Sequence, residues 1–106
     1  MVRVWVNPEK CRLIINGHAN SNMPGKDLVC CAASTLAETL SRYLNERMKE
    51  GALDTLVDKV KPGSVYISAK PESTSEKQIR AVYDMIKTGY KAIAEEYPQY
   101  ITIKEE

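Results

Sequence analysis

Histidine occurs once in this chain, as His18, and cysteine three times, as Cys11, Cys30 and Cys31. Any chemistry that needs an imidazole must therefore use His18. Excess charge of one sign is also lacking: fifteen basic residues against fourteen acidic ones leave a formal charge of +1. Nucleic-acid binders carry a clear basic excess, so composition points away from direct nucleic-acid contact. The same balance argues against an acidic or basic disordered tail. No stretch approaches the roughly 18 apolar residues of a membrane span, and the first ten residues have no apolar signal core. Three cysteines, two of them adjacent, do not suit a disulfide framework. The expectation is a soluble protein of the reducing cytoplasm whose free thiols are either buried filler or working nucleophiles.

What is present is enough for one modest core: 106 residues, 43% of them hydrophobic. No repeat, low-complexity segment or linker interrupts the chain, so residues 1–106 read as a single domain. Val2, Val4 and Val6 alternate with Arg3 and Trp5 as a strand. Asn7-Pro8-Glu9-Lys10 is turn chemistry, and Cys11 to Ile15 is a second β-rich run ending at Asn16-Gly17. Residues 19–26 are loop by composition. A long helix is predicted from about Asp27 to Lys49 or Glu50, with Gly51 as its stop. Thr55–Val60, the Lys61-Pro62-Gly63 turn and Val65–Ala69 read as a second hairpin. Ser73-Thr74-Ser75-Glu76 is a capping box opening a second helix, striped by Ile79, Val82, Tyr83, Ile86, Tyr90, Ile93 and Tyr97 and ended by Pro98. Tyr100–Lys104 is a last strand. The order ββαββαβ predicts an α+β fold: a mostly antiparallel sheet with two long helices on one face.

The chemistry concentrates between Asn16 and Ser34. If Asp27 is the N-cap, Cys30 takes the N3 position, near unpaired backbone N–H groups and the positive end of the helix dipole. Such a position favours a thiolate, the nucleophilic form. His18, just past a strand end, reaches the helix start if the intervening loop folds back, and could serve as general base and then general acid. The helical wheel puts Cys30 at the border of the apolar face and Cys31 about 100° further into the polar face. Cys30 is thus the nucleophile if there is one, although buried cysteine also serves as a small hydrophobe. Cys11 falls in a strand, where packing is its role. Adjacent helical cysteines diverge and no fourth ligand accompanies them, so a metal site is not expected; no cofactor motif is complete.

Gly17-His18-Ala19, a short loop, then Gly25-Lys26-Asp27-Leu28-Val29-Cys30 and Ala33-Ser34 resemble the ribosomal-processing cysteine protease family, Prp. The stretch from Gly89 to Tyr100 is similar to the family's C-terminal helix and last strand. The resemblance implies a homodimeric cytoplasmic endopeptidase that removes the N-terminal extension of a large-subunit ribosomal protein. By carry-over Cys30 is the nucleophile and His18 the base. Asp27 and Ser34 match further active-site positions, and Gly17 and Gly25 frame a loop that orders over the substrate peptide. Asp27 orients His18, caps the helix, or both, and backbone N–H groups around Val29 to Cys31 serve as oxyanion donors. The chain departs from the family pattern at Cys31, where alanine is expected, at Ala33, where valine is common, and in a less acidic loop at Asn20–Pro24. The alternative function is a non-catalytic ribosome-associated assembly factor on the same scaffold. The near-zero charge and the presence of both His18 and Cys30 weigh against it.

Overall fold

The computed structural model describes residues 1–18 and 26–104, and of Lys26 and Asp27 the backbone only. The alternation of Val2, Val4 and Val6 produces strand β1 (Val2–Asn7), and β2 (Arg12–Asn16) returns beside it. Between them the Lys10 N–H bonds to Asn7 Oδ1 at 3.1 Å, and the Cys11 N–H to the Pro8 carbonyl at 3.3 Å. Cys11 belongs to this turn and not, as expected, to the strand. Its φ is 51°, in the left-handed region that strands do not use. Its side chain is nevertheless buried. The apolar character of the position reports packing and says nothing of its backbone.

Helix α1 (Lys26–Lys49) buries Val29, Ala33, Ala37, Leu40 and Leu44, a stripe at the 3.6-residue period. It stops as the sequence predicts. Gly51 adopts φ 80°, its N–H bonds to the Met48 carbonyl, and the Ala52 N–H reaches back to the Arg47 carbonyl at 3.0 Å. This pair of bonds is the Schellman termination. The chain then forms β3 (Leu53–Lys61) and β4 (Ser64–Pro71). Asp58 on β3 accepts hydrogen bonds from Ser41 Oγ at 2.6 Å and Asn45 Nδ2 at 2.8 Å, fastening α1 to the sheet.

Helix α2 (Glu76–Glu96) is entered differently from the predicted capping box. Ser73–Ser75 forms a single 3-10 turn, and the carboxylate of Glu72 accepts from the Thr74 N–H and from the hydroxyls of Ser73 and Thr74. Ser75 begins α2 without a side-chain cap. Those hydrogen bonds hold the Glu72 carboxyl below the usual carboxylate range. Ile79, Tyr83, Ile86 and Tyr90 are the buried stripe of α2, and β5 (Ile101–Lys104) follows.

The five strands form one sheet in the order β3-β4-β2-β1-β5. Three adjacent pairings are antiparallel, and β1–β5 is parallel, so the sheet is mixed. Strand alternation sends Val4, Leu13, Ile67 and Ile101 to the face that both helices cover. The fold is α+β in the order ββαββαβ. Among the described residues, no helix is long and apolar enough to cross a membrane.

Candidate active site

The end of β2, the first turns of α1 and the β3–β4 turn converge on one cleft of about 370 Å³, within the range of small-ligand sites. His18 and Cys30 both line it. The end of β2 and the start of α1, separated along the chain by residues 17–25, thus meet at one cavity.

The ladder between β2 and β4 ends with Asn16 opposite Ser64. It is extended by one more bond, the Gly17 N–H to the Gly63 carbonyl at 3.0 Å. Gly17 has φ 101°, and a Cβ on it would overlap the carbonyl oxygen of Met1. Both the backbone conformation and the neighbouring Met1 backbone therefore exclude a side chain there. The Met1 amino group donates to the His18 carbonyl at 3.0 Å. His18 leaves the sheet from this fixed point, with its side chain exposed at the cleft.

Cys30 is half-buried, packs against the core and opens to the cleft, as its border position on the wheel predicts. Cys31 is exposed and does not line the cleft. Cys11 lies elsewhere, in a second hollow with Glu9, Lys10 and Arg80. Burial pushes its thiol up, Arg80 counteracts part of that, and Glu76 and Glu9 add to it. A thiol kept neutral in this way is a poor nucleophile.

The helix start corrects two expectations. Because α1 begins at Lys26, Asp27 sits inside its first turn and is not the N-cap, and Cys30 is the fifth helical residue, not N3. The N–H groups of Cys30 and Cys31 then fall within the i→i−4 ladder, bonded toward Lys26 and Asp27, and are not free to serve as oxyanion donors. The side chain of Asp27, and Gly25 entirely, lie outside the described residues. So does the loop at 19–25, including Asn20–Pro24. Ser34, one turn beyond Cys30, lines the cleft and is exposed.

The floor is built of Val2, Ile15, Ala33, Ala37 and Val65, small or medium apolar residues that leave room for a guest side chain. Glu38, Lys61, Pro62 and Gly63 also line the cleft, and the sequence reading assigned them no part in it. Lys61-Pro62-Gly63 carried a clear turn signal. Its place beside His18 follows only from the pairing of β4 with β2, which joins residues nearly fifty positions apart.

A family model described as cysteine protease Prp matches residues 1–102. The chain belongs to this family. No curated protein sequence matches it. Among solved structures it is similar to the Staphylococcus aureus ribosomal processing protease Prp in complex with a substrate peptide. That match has a TM-score of 0.72 and 21% identity, and covers 99% of this chain and 97% of the other. The same protease with a covalently linked product peptide aligns at a TM-score of 0.68, 21% identity, and 99% and 97% coverage. A Streptococcus mutans protein aligns at 0.69 and 21% identity, covering 99% of this chain and 93% of that one. At these identities the structures show a shared fold. The Prp family is one of cysteine proteases, and His18 and Cys30 both line the cleft of this member.

Proposed function

We propose that this Prp-family chain is a Cys-His endopeptidase in which Cys30 is the nucleophile and His18 the general base and acid. The observation that carries the reading is the convergence of the sole histidine and the half-buried thiol on one cleft. Residues 1–106 act as one protease domain, with no metal or other cofactor. The substrate is the N-terminal extension of a large-subunit ribosomal protein. Support for a ribosomal peptide comes from the S. aureus relative, a ribosomal processing protease seen with substrate and product peptides. The family resemblance also supports a cytoplasmic homodimer, and the balanced charge supports a role without direct nucleic-acid contact.

In the first step the Cys30 sulfur adds to the scissile carbonyl carbon while His18 takes its proton. Helical side chains tilt toward the N-terminus, so the Cys30 sulfur overlies the first turn of α1. There the N–H groups of Lys26, Asp27 and Leu28 belong to the first turn of the described helix, where backbone donors ordinarily lack an intrahelical acceptor. These, in place of the N–H groups at 30 and 31, serve as donors to the developing oxyanion. Collapse breaks the C–N bond, and His18 returns the proton to the leaving amine. Water, deprotonated by His18, then adds to the thioester, and the sulfur leaves and regains its proton. Ser34 hydrogen-bonds within the site, and Asp27 orients His18. Gly17 and Gly25 frame a loop that closes over the peptide, so the site is complete only with the right substrate.

The test is incubation with a peptide copying the host's own ribosomal-protein extension, beside Cys30→Ala, Cys30→Ser and His18→Ala variants. Wild-type cleavage lost in all three is expected. Cleavage that survives loss of Cys30 overturns the mechanism, and no cleavage by the wild type favours the assembly-factor reading.

A further inference from the structure

The imidazole of His18 rests on the backbone of Gly63. A methyl group built at that glycine would overlap His18 Nε2 and Cε1 and stand 2.9 Å from Cδ2. The ring thus occupies the space a side chain at position 63 would need. Gly63 is also at φ 73°, the left-handed region open to glycine and tolerated by asparagine. Pro62 precedes it, and proline at the second position with a positive φ at the third is the pattern of a type II turn. Gly63 therefore meets two separate demands: a turn conformation, and a bare surface for a ring.

Gly51 separates the two. Its φ of 80° matches that of Gly63, yet nothing lies within 4 Å of where its Cβ would be. Position 51 needs only the backbone conformation, whereas position 63 also needs the absence of a side chain.

We infer that Gly63 is a positioning residue for the His18 base, and that the β3–β4 turn is the seat holding the imidazole toward Cys30. The seat does not float. The Gly63 carbonyl accepts the Gly17 N–H at 3.0 Å, one residue before His18, so backbone and ring are registered on the same turn. His18, Gly63 and Cys30 all line the one cleft. Among the described residues none hydrogen-bonds to the imidazole, so its fixed contact there is steric. A base delivers its rate advantage only when it is held within hydrogen-bond reach of the proton it takes, and a ring pressed onto a flat glycine loses rotamer freedom before substrate arrives. A side chain at 63 pushes the ring off its seat and into or across the cleft. This inference rests on the assignment of His18 as the base.

Gly63→Asn tests it, because asparagine accepts the left-handed backbone but carries the offending Cβ. Gly51→Asn is the matched control, with the same backbone demand in open space. The expected result is a thermal midpoint for Gly63→Asn close to that of Gly51→Asn. Its kcat/KM on the ribosomal-protein peptide falls by about tenfold or more, mainly through kcat, with an altered pH profile. Gly51→Asn cleaves like the wild type. Wild-type kcat and pH profile in folded Gly63→Asn overturn the inference. A second readout needs neither activity nor the variant. The chain has one histidine, so its imidazole gives a single set of NMR signals. An NOE from the His18 ring to the Gly63 α-protons is expected in the wild type, and its absence overturns the seat. A wild type that shows this NOE and does not cleave would sink the protease reading while leaving the seat standing.

Discussion

The phenol of Tyr90 donates a hydrogen bond to the carbonyl oxygen of Ala33 at 2.8 Å, with both residues buried. Ala33 lies three residues after Cys30, so α2 grips α1 directly behind the candidate nucleophile. Tyr90→Phe keeps the ring and removes the donor, while the Ala33 carbonyl retains its helical partner. A loss of about 1 kcal/mol in urea unfolding is expected. A change indistinguishable from zero would mean that the hydroxyl contributes nothing to the packing of the two helices.

Tyr83 is held in the same way, its hydroxyl donating to the Ile67 carbonyl at 3.2 Å. Burial pushes the phenols of Tyr83 and Tyr90 above the ordinary tyrosine range, with nearby Cys11, Asp58 and Tyr66 adding to the shift at Tyr83. Above about pH 10 the unfolded chain releases these protons while the folded protein keeps them. Their contribution to stability is therefore fully present below that pH and is lost as pH rises beyond it, by about 1.4 kcal/mol per pH unit for each tyrosine. The Cys11 thiol, raised in the same direction, begins its loss at lower pH. Unfolding midpoints compared at neutral and strongly alkaline pH should fall steeply for the wild type and less for a Tyr83→Phe/Tyr90→Phe double variant. Parallel decline of the two proteins would show that these phenols do not govern alkaline unfolding.

The three thiols occupy three environments: Cys31 exposed, Cys30 half-buried at the cleft, and Cys11 buried. Brief treatment of the native protein with iodoacetamide, read by peptide mass spectrometry, should modify Cys30 and Cys31 and spare Cys11 until denaturant is added. Cys31→Ala should cleave the ribosomal-protein peptide within about twofold of wild type, as exposed surface substitutions away from a site have small effects. Loss of cleavage in Cys31→Ala comparable to that in Cys30→Ala would reverse the assignment of the nucleophile.

Much of the framework was legible in the chain because its signals are local. The valine alternation of β1, the apolar stripes of both helices and the Gly51 stop each depend on neighbours within a few residues. The phase of α1 also separated Cys30 from Cys31, since a helix fixes side-chain direction at about 100° per residue. Readings that depended on a single boundary fared worse. Helix α1 starts two residues earlier than an Asp27 cap would set it, which removes the N–H groups of Cys30 and Cys31 from the oxyanion role, and Glu72 takes the capping position that Ser73 and Glu76 were expected to share.

By itself, the sequence determined which groups could do chemistry here: one imidazole, one thiol at a helix border and no charge excess for nucleic acid. It also determined the order of elements, because periodicity and turn residues act over short range. Tertiary structure alone decided that β5 pairs parallel with β1, that the turn residue Cys11 is buried in the core, and that the bare face of Gly63 lies under His18. Each of these results from contacts between residues far apart in the chain. Such contacts are set by strand register and close packing of the whole core, and leave no mark in the local pattern of residues.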